Sequence, residues 1–210
     1  MSIDGKIQAL NNAIRETIPH MRQVADENPN AQVLVRAIRF AKGASWHLAD
    51  PTPVDQFEWQ DIDAHGVTDM GRALEMVAEV LRIPPMTDRA LPPVLVLISD
   101  GQPTDDMSRG LRALMELPWG KKAVRVAIAI GEDADLEILQ QFIGNPDFKP
   151  LQANSPEALV RYIKFVSTAV LQAASAPSSQ TCERDELKTN VPLPRLMDEE
   201  PDLVSVTDVW

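Results

Sequence analysis

Apolar residues recur every three or four positions in five stretches of the chain, which is the spacing of one buried helix face. These stretches are 6–21, 69–81, 106–117, 135–143 and 155–174. The pattern therefore predicts five helices, the first beginning almost at the amino terminus.

Other stretches have the patterns of β-strands. Alternation of side-chain type predicts a strand over 31–40 and a short one over 45–48, paired as a hairpin. The apolar run at 93–99 predicts a strand that is buried on both faces, in the middle of a sheet, and residues 123–130 predict a second buried strand. A short extended piece is predicted near 149–152. Because strands and helices alternate, we expect an α/β fold, with a mostly parallel central sheet flanked by helices.

Two segments lack a regular period. Residues 50–66 contain two prolines and several acids, which predicts a loop. Beyond Ala174 the composition shifts, and residues 175–210 hold three basic residues against eight acidic ones. We therefore expect one domain over 1–174 and an acidic, proline-containing tail over 175–210 that is disordered or bound to a partner.

Charge narrows the choice of partners. The 210 residues include 20 Lys and Arg against 31 Asp and Glu, a net charge of −11, which argues against binding to nucleic acid or to anionic membranes. No apolar run approaches the roughly 20 residues that span a bilayer, so we expect a cytoplasmic protein. The single cysteine, Cys182, excludes cysteine-based zinc sites.

Two predicted loops carry the side chains that are most suited to chemistry. Gly-Val-Thr-Asp-Met-Gly at 66–71 opens a predicted helix, and Ser-Asp-Gly-Gln-Pro-Thr-Asp at 99–105 follows a predicted buried strand. Ligands of open α/β sheets gather at the carboxyl ends of strands. The hydroxyl of Thr68 and the carboxylate of Asp100 are hard oxygen ligands of the kind that Mg²⁺ prefers.

Each motif also has a purely structural interpretation. Thr68 or Asp69 is a residue type that a helix prefers as its amino-terminal cap, and Asp100 begins a common strand-terminating turn.

Together the two motifs, in this order and separated by a helix and a strand, resemble the second and third metal-site segments of von Willebrand factor A (vWA) domains. The resemblance covers residues 1 to about 174 and implies a Rossmann-like vWA fold. It maps Thr68 onto the threonine that coordinates the metal, and Asp100 onto the aspartate that contacts it directly or through water.

The family's first segment, Asp-x-Ser-x-Ser at the end of the first central strand, is absent from this sequence, and Met1 aligns just after it. In the family's strand order, the absent strand lies between the strands predicted at 33–40 and 94–99. Three explanations stay open: the natural product begins upstream, another segment fills the place, or the sheet has adapted. Within the chain the candidate segment is 202–210, which has strand-like alternation. We expect Mg²⁺ binding only if the missing segment is supplied.

The resemblance to cytosolic bacterial vWA proteins of the tellurium-resistance type implies a protein–protein interaction module rather than an enzyme. Its expected partner is another protein, such as a kinase, a phosphatase or a second vWA protein in a signalling or stress-resistance system. The terminal Asp208, Val209 and Trp210 form a candidate docking peptide.

Two other functions are alternatives to an interaction module. One is a metal-free structural subunit of an assembly. The other is a Mg²⁺-dependent phosphoryl-transfer enzyme built on Asp100 and Asp105, and it needs a nucleophile or base that the sequence does not nominate.

Overall fold

A computed structural model describes residues 5–27, 32–63, 67–87, 90–100 and 102–175. The helices and strands within these residues are α1 Lys6–Glu27, β1 Leu34–Ala41, β2 Gly43–Pro53, α2 Met70–Val80, β3 Val94–Ser99, α3 Met107–Met115, α4 Pro118–Lys122, β4 Val124–Ile130, α5 Leu136–Ile143, β5 Leu151–Ala153, α6 Pro156–Phe165, a π-helical segment Val166–Val170 and α7 Leu171–Ser175. The predicted tail lies outside the described residues from 176 onward, so its disorder stays a prediction.

The strands form two separate groups. β1 and β2 pair as an antiparallel hairpin, whereas β3, β4 and β5 form a parallel sheet in that order. The predicted hairpin and the predicted parallel sheet are both confirmed.

Strand β2 is much longer than the sequence pattern predicts. It continues to Pro53, which lies opposite Leu34, and so includes residues that the prolines had assigned to a loop. Proline is tolerated there because β2 is an edge strand, and an edge strand does not need every backbone N–H for pairing. The loop prediction for 50–53 was therefore wrong.

Strand β4 is the centre of the core. Val124, Val126, Ile128 and Ile130 pack with residues of α1 and α6 in one apolar cluster. The alternate residues Ala127 and Ala129 belong to a second cluster with residues of α2, α3 and α5. Helices therefore cover both faces of the sheet, as the alternation of elements predicts.

Strand β3 departs from its prediction. Its sequence predicts burial on both faces, but only Leu97 and Ser99 are fully buried, and Val96 is 42% exposed. The physical reason is that β3 is the edge of its sheet: it pairs with β4, and within the described residues no strand lies between β3 and β1. A cleft of about 1280 Å³ separates these two strands.

Candidate functional site

The two motif loops meet beside the cleft between β1 and β3. Thr68, just before α2, and Asp100, just after β3, both line it, together with Gly43 and Ser99. The structure therefore brings together the two residues that the sequence nominated, at the carboxyl ends of β1 and β3.

Asp69 ties three segments together at this edge. Its Oδ2 accepts a hydrogen bond from the backbone N–H of Gly43 at 2.6 Å, and its Oδ1 accepts one from Thr104 Oγ1 at 3.0 Å. The backbone of Asp69 also donates to the carbonyl of Ala41 at 3.0 Å. Thr104 in turn bonds the backbone of Thr68 twice: its Oγ1 accepts from the N–H and its own N–H donates to the carbonyl, each at 2.9 Å. Both loops are thus fixed to the hairpin.

Asp105 caps helix α2 from the other loop. Its Oδ1 accepts from the N–H of Gly71 and its Oδ2 from the N–H of Arg72, both at 2.8 Å. Asp69 stands at the amino-terminal cap position, but its side chain makes no capping hydrogen bond. Asp69 therefore occupies the predicted cap position, but the capping hydrogen bonds are accepted by Asp105. A carboxylate at this end of a helix is favoured by the helix dipole and by the unpaired N–H groups.

Gly71 and Gly110 allow α2 and α3 to approach each other closely. A Cβ on Gly71 would lie 2.4 Å from the carbonyl oxygen of Asp106, and a Cβ on Gly110 would lie 2.3 Å from that of Gly71. Real side chains do not tolerate such distances, so the α2–α3 contact depends on glycine at both positions.

The end of β4 is held by a buried lysine. Lys6 Nζ donates to Asp133 Oδ1 at 2.9 Å, and this hydrogen bond holds the pKa of the Asp133 carboxyl below its usual range. Gly131, with φ of +85°, lies between them, and a Cβ there would be 2.7 Å from the Lys6 nitrogen. The positive charge of Lys6 therefore stabilises the turn after β4.

The side chains described at this edge do not fit a metal ion by themselves. Thr68 and Asp100 supply one hydroxyl and one carboxylate, while Asp69 and Asp105 already accept hydrogen bonds with both oxygens. In the part of the chain that the structure describes, no group of three or more His, Cys, Asp or Glu is placed to hold a metal. The candidate docking residues Asp208, Val209 and Trp210 lie outside that part and stay predictions.

Sequence reasoning missed the roles of Asp69, Thr104 and Asp105. The available signal was that each motif contains a Thr-Asp pair, at 68–69 and at 104–105. The side chains of Asp69, Thr104 and Asp105 form hydrogen bonds to the opposite loop, and so do the backbone groups of Thr68.

No protein-family model and no curated protein matches this sequence. Solved structures do match. Proximal thread matrix protein 1 (PTMP1) from the mussel byssus aligns with a TM-score of 0.59 and 17% identity over 78% of this chain, and a von Willebrand factor type A protein from Catenulispora acidiphila aligns with 0.55 and 14% over 80%. The chain has a vWA-like fold.

A third match supports the same assignment for the vWA-like domain. The ArnB paralog VWA2 from Sulfolobus acidocaldarius gives a TM-score of 0.56 at 19% identity over 79% of this chain. The aligned region covers between 40% and 42% of each of these three proteins, so the chain spans about two-fifths of their length. Another PTMP1 structure, with 18% identity, has a zinc-occupied MIDAS motif. Among the described residues no helix is long and apolar enough to cross a membrane.

Proposed function

We propose that this protein is an interaction module of the vWA type that binds another protein through the edge carrying Thr68 and Asp100. The observation that carries the proposal is that both side chains line one cleft, on loops locked by Asp69, Thr104 and Asp105. A surface that is already ordered loses little conformational entropy on binding, which favours recognition.

We further propose that this binding does not depend on Mg²⁺ in the chain of residues 1–210. A vWA metal site binds its partner by leaving one coordination position open for a partner's carboxylate. Here Thr68 and Asp100 provide one carboxylate between them, which is too few oxygen ligands to hold the ion without further groups. A cytosolic kinase, a phosphatase or a second vWA protein is the kind of partner that we propose, and a role in catalysis is not part of the proposal.

Paired variants test which surface binds. The full chain, the double variant Thr68→Ala/Asp100→Ala and the control Thr52→Ala/Asp55→Ala would each be expressed with a tag in the source cells, cross-linked, and their partners quantified. The control changes the same residue types at the opposite end of the hairpin from Gly43. We expect the site variant to lose its partners by about tenfold or more while it stays folded, since polar hot-spot truncations cost roughly 2 kcal/mol or more.

A metal-free structural subunit is the second candidate, favoured by the same shortage of ligands. It predicts that both double variants keep the same partners, which would refute binding through the Thr68–Asp100 edge. Partners retained by the full chain in EDTA support metal-independent binding, whereas their loss in EDTA would overturn that part of the proposal.

A further inference from the structure

The cleft between β1 and β3 has the form of an unfilled strand position. Each strand has a neighbouring strand on one side, β2 beside β1 and β4 beside β3, and no strand of the described residues lies on the other side of either one. All residues of Leu34–Ala41 and Val94–Ser99 line the cleft. Its volume of about 1280 Å³ exceeds the roughly 300–1,000 Å³ of small-molecule pockets. Open strand edges are templates for a further strand.

The cleft lies between two apolar helical layers. Apolar residues that line it from α1 and α2 are Ile7, Leu10, Ile14 and Met21 of α1 and Met70, Ala73, Leu74, Val77 and Val80 of α2. Val96, in the middle of β3, is 42% exposed, although residues of parallel strands are normally covered on both faces. An extended segment with apolar side chains would pair with both strand edges and pack against both helical layers.

The charged residues that line the cleft indicate what charge its occupant would carry. Strand β1 and the turn after it place three basic residues on the cleft, Arg36, Arg39 and Lys42, against two acidic ones, Asp63 and Asp100. The Nε of Arg36 is buried and has no hydrogen-bond partner in the described part of the chain. These features favour an apolar strand with acidic residues at its ends.

We propose that residues 203–209 of the same chain occupy this cleft as a strand between β1 and β3. Their sequence, Leu-Val-Ser-Val-Thr-Asp-Val, is rich in β-branched residues. At about 3.3 Å per residue, seven residues extend about 23 Å, against about 20 Å for the six residues of β3. Residues 198–210 contain five acidic residues and no basic one, which complements the basic side of the cleft.

The other residues beyond α7 also favour 203–209 as the segment that fills the cleft. Residues 176–202 connect α7 to the segment, and 27 residues at about 3.3 Å each span about 90 Å, far more than any path across one domain requires. The other apolar stretch beyond α7, 191–197, contains Pro192 and Pro194, which cannot donate hydrogen bonds within a sheet. This proposal goes beyond the proposed function: the strand would fill the cleft between β1 and β3, whereas Thr68 and Asp100 lie on the loops at the carboxyl ends of these strands.

Hydrogen exchange on the full chain tests the proposal. The variant Val204→Asp/Val206→Asp places two charges in the strand, and the control Leu196→Asp/Met197→Asp places two charges outside it. We expect amides of β1 and β3 to exchange faster by about tenfold or more in the strand variant, since exchange reports local opening. Amides of β4 and α5 should stay protected in both variants, which shows that the fold persists. Unchanged exchange of β1 and β3 in the strand variant would overturn the proposal, because the cleft is then open or filled by something else.

If the strand variant unfolds, disulfide trapping tests whether residues 203–209 lie beside β3. In a Cys182→Ser background, Val206→Cys is combined with Val96→Cys, or with Leu136→Cys as a control of similar exposure, 39% against 42%. Neighbouring strands bring Cα atoms within the roughly 4.4–6.8 Å that a disulfide requires. We expect a cross-linked monomer for position 96 only. A cross-linked dimer would assign the cleft to a second copy, and equal or absent cross-linking at the two positions would also contradict the proposal.

Discussion

At the scale of single residues, Asp105 holds the start of α2 from the opposite loop. It accepts hydrogen bonds from two backbone amides at the start of α2 and so connects the second loop to the first. We expect Asp105→Ala to lower the free energy of unfolding by about 1–2 kcal/mol, the usual loss when a helix cap is removed. Urea unfolding measures this, with the exposed Asp147→Ala as the control. Equal stability of the two variants would show that the capping contact contributes nothing.

The same residue shows how far the sequence predicts the site. Thr68 and Asp100 were found because their motifs, at a predicted helix start and strand end, resemble two segments of the vWA metal site. The side-chain contacts of Asp69 and Asp105 join residues 26 to 35 positions apart. Such contacts depend on how two loops meet in the fold, and no local period records that.

At the scale of elements, the packing of α2 on α3 predicts whether Gly110→Ala raises or lowers the stability of the protein. In an exposed helix, Gly→Ala gains about 1 kcal/mol from propensity alone. At Gly110 the new Cβ would lie 2.3 Å from the carbonyl oxygen of Gly71. We therefore expect Gly110→Ala to destabilise the protein by a net amount of about 1–3 kcal/mol, as overpacking does. Thermal unfolding measures the effect, and Ser108→Ala, on the exposed side of α3, is the control. A raised melting temperature for Gly110→Ala would mean that the helices separate easily.

The sequence predicts the burial of some strands correctly and that of β3 incorrectly. The hairpin follows from the alternation of its side chains, and β4 follows from a stretch that is apolar except for Arg125, because both patterns reflect burial that the structure has. The apolar run at 93–99 has the composition of a central strand, yet β3 lies at an edge with Val96 exposed. The pattern of β3 therefore fits a strand with neighbours on both sides, which is the arrangement that occupation of the cleft would restore.

At the scale of the whole molecule, the fold class follows from the order of elements, but metal binding does not follow from the fold. The vWA-like arrangement brings Thr68 and Asp100 to one cleft, and a structural neighbour with this fold has a zinc-occupied MIDAS motif. Whether an ion binds depends on the number of oxygen ligands, and the described edge offers one carboxylate that the sequence assigns to a metal. Mg²⁺ in proteins requires near-octahedral geometry and gives up its water reluctantly.

Titration calorimetry of the full chain with Mg²⁺ tests this argument. We expect no saturable binding in the micromolar range, and heats equal to those of Asp100→Asn, because removing one carboxylate from a site with too few ligands changes little. The acidic character of the chain, with a net charge of −11, gives only a diffuse attraction for cations that salt screens. Saturable binding that disappears in Asp100→Asn would contradict the prediction. It would also show that a segment outside the described residues supplies the missing ligands, since Thr68 and Asp100 by themselves do not complete a coordination sphere.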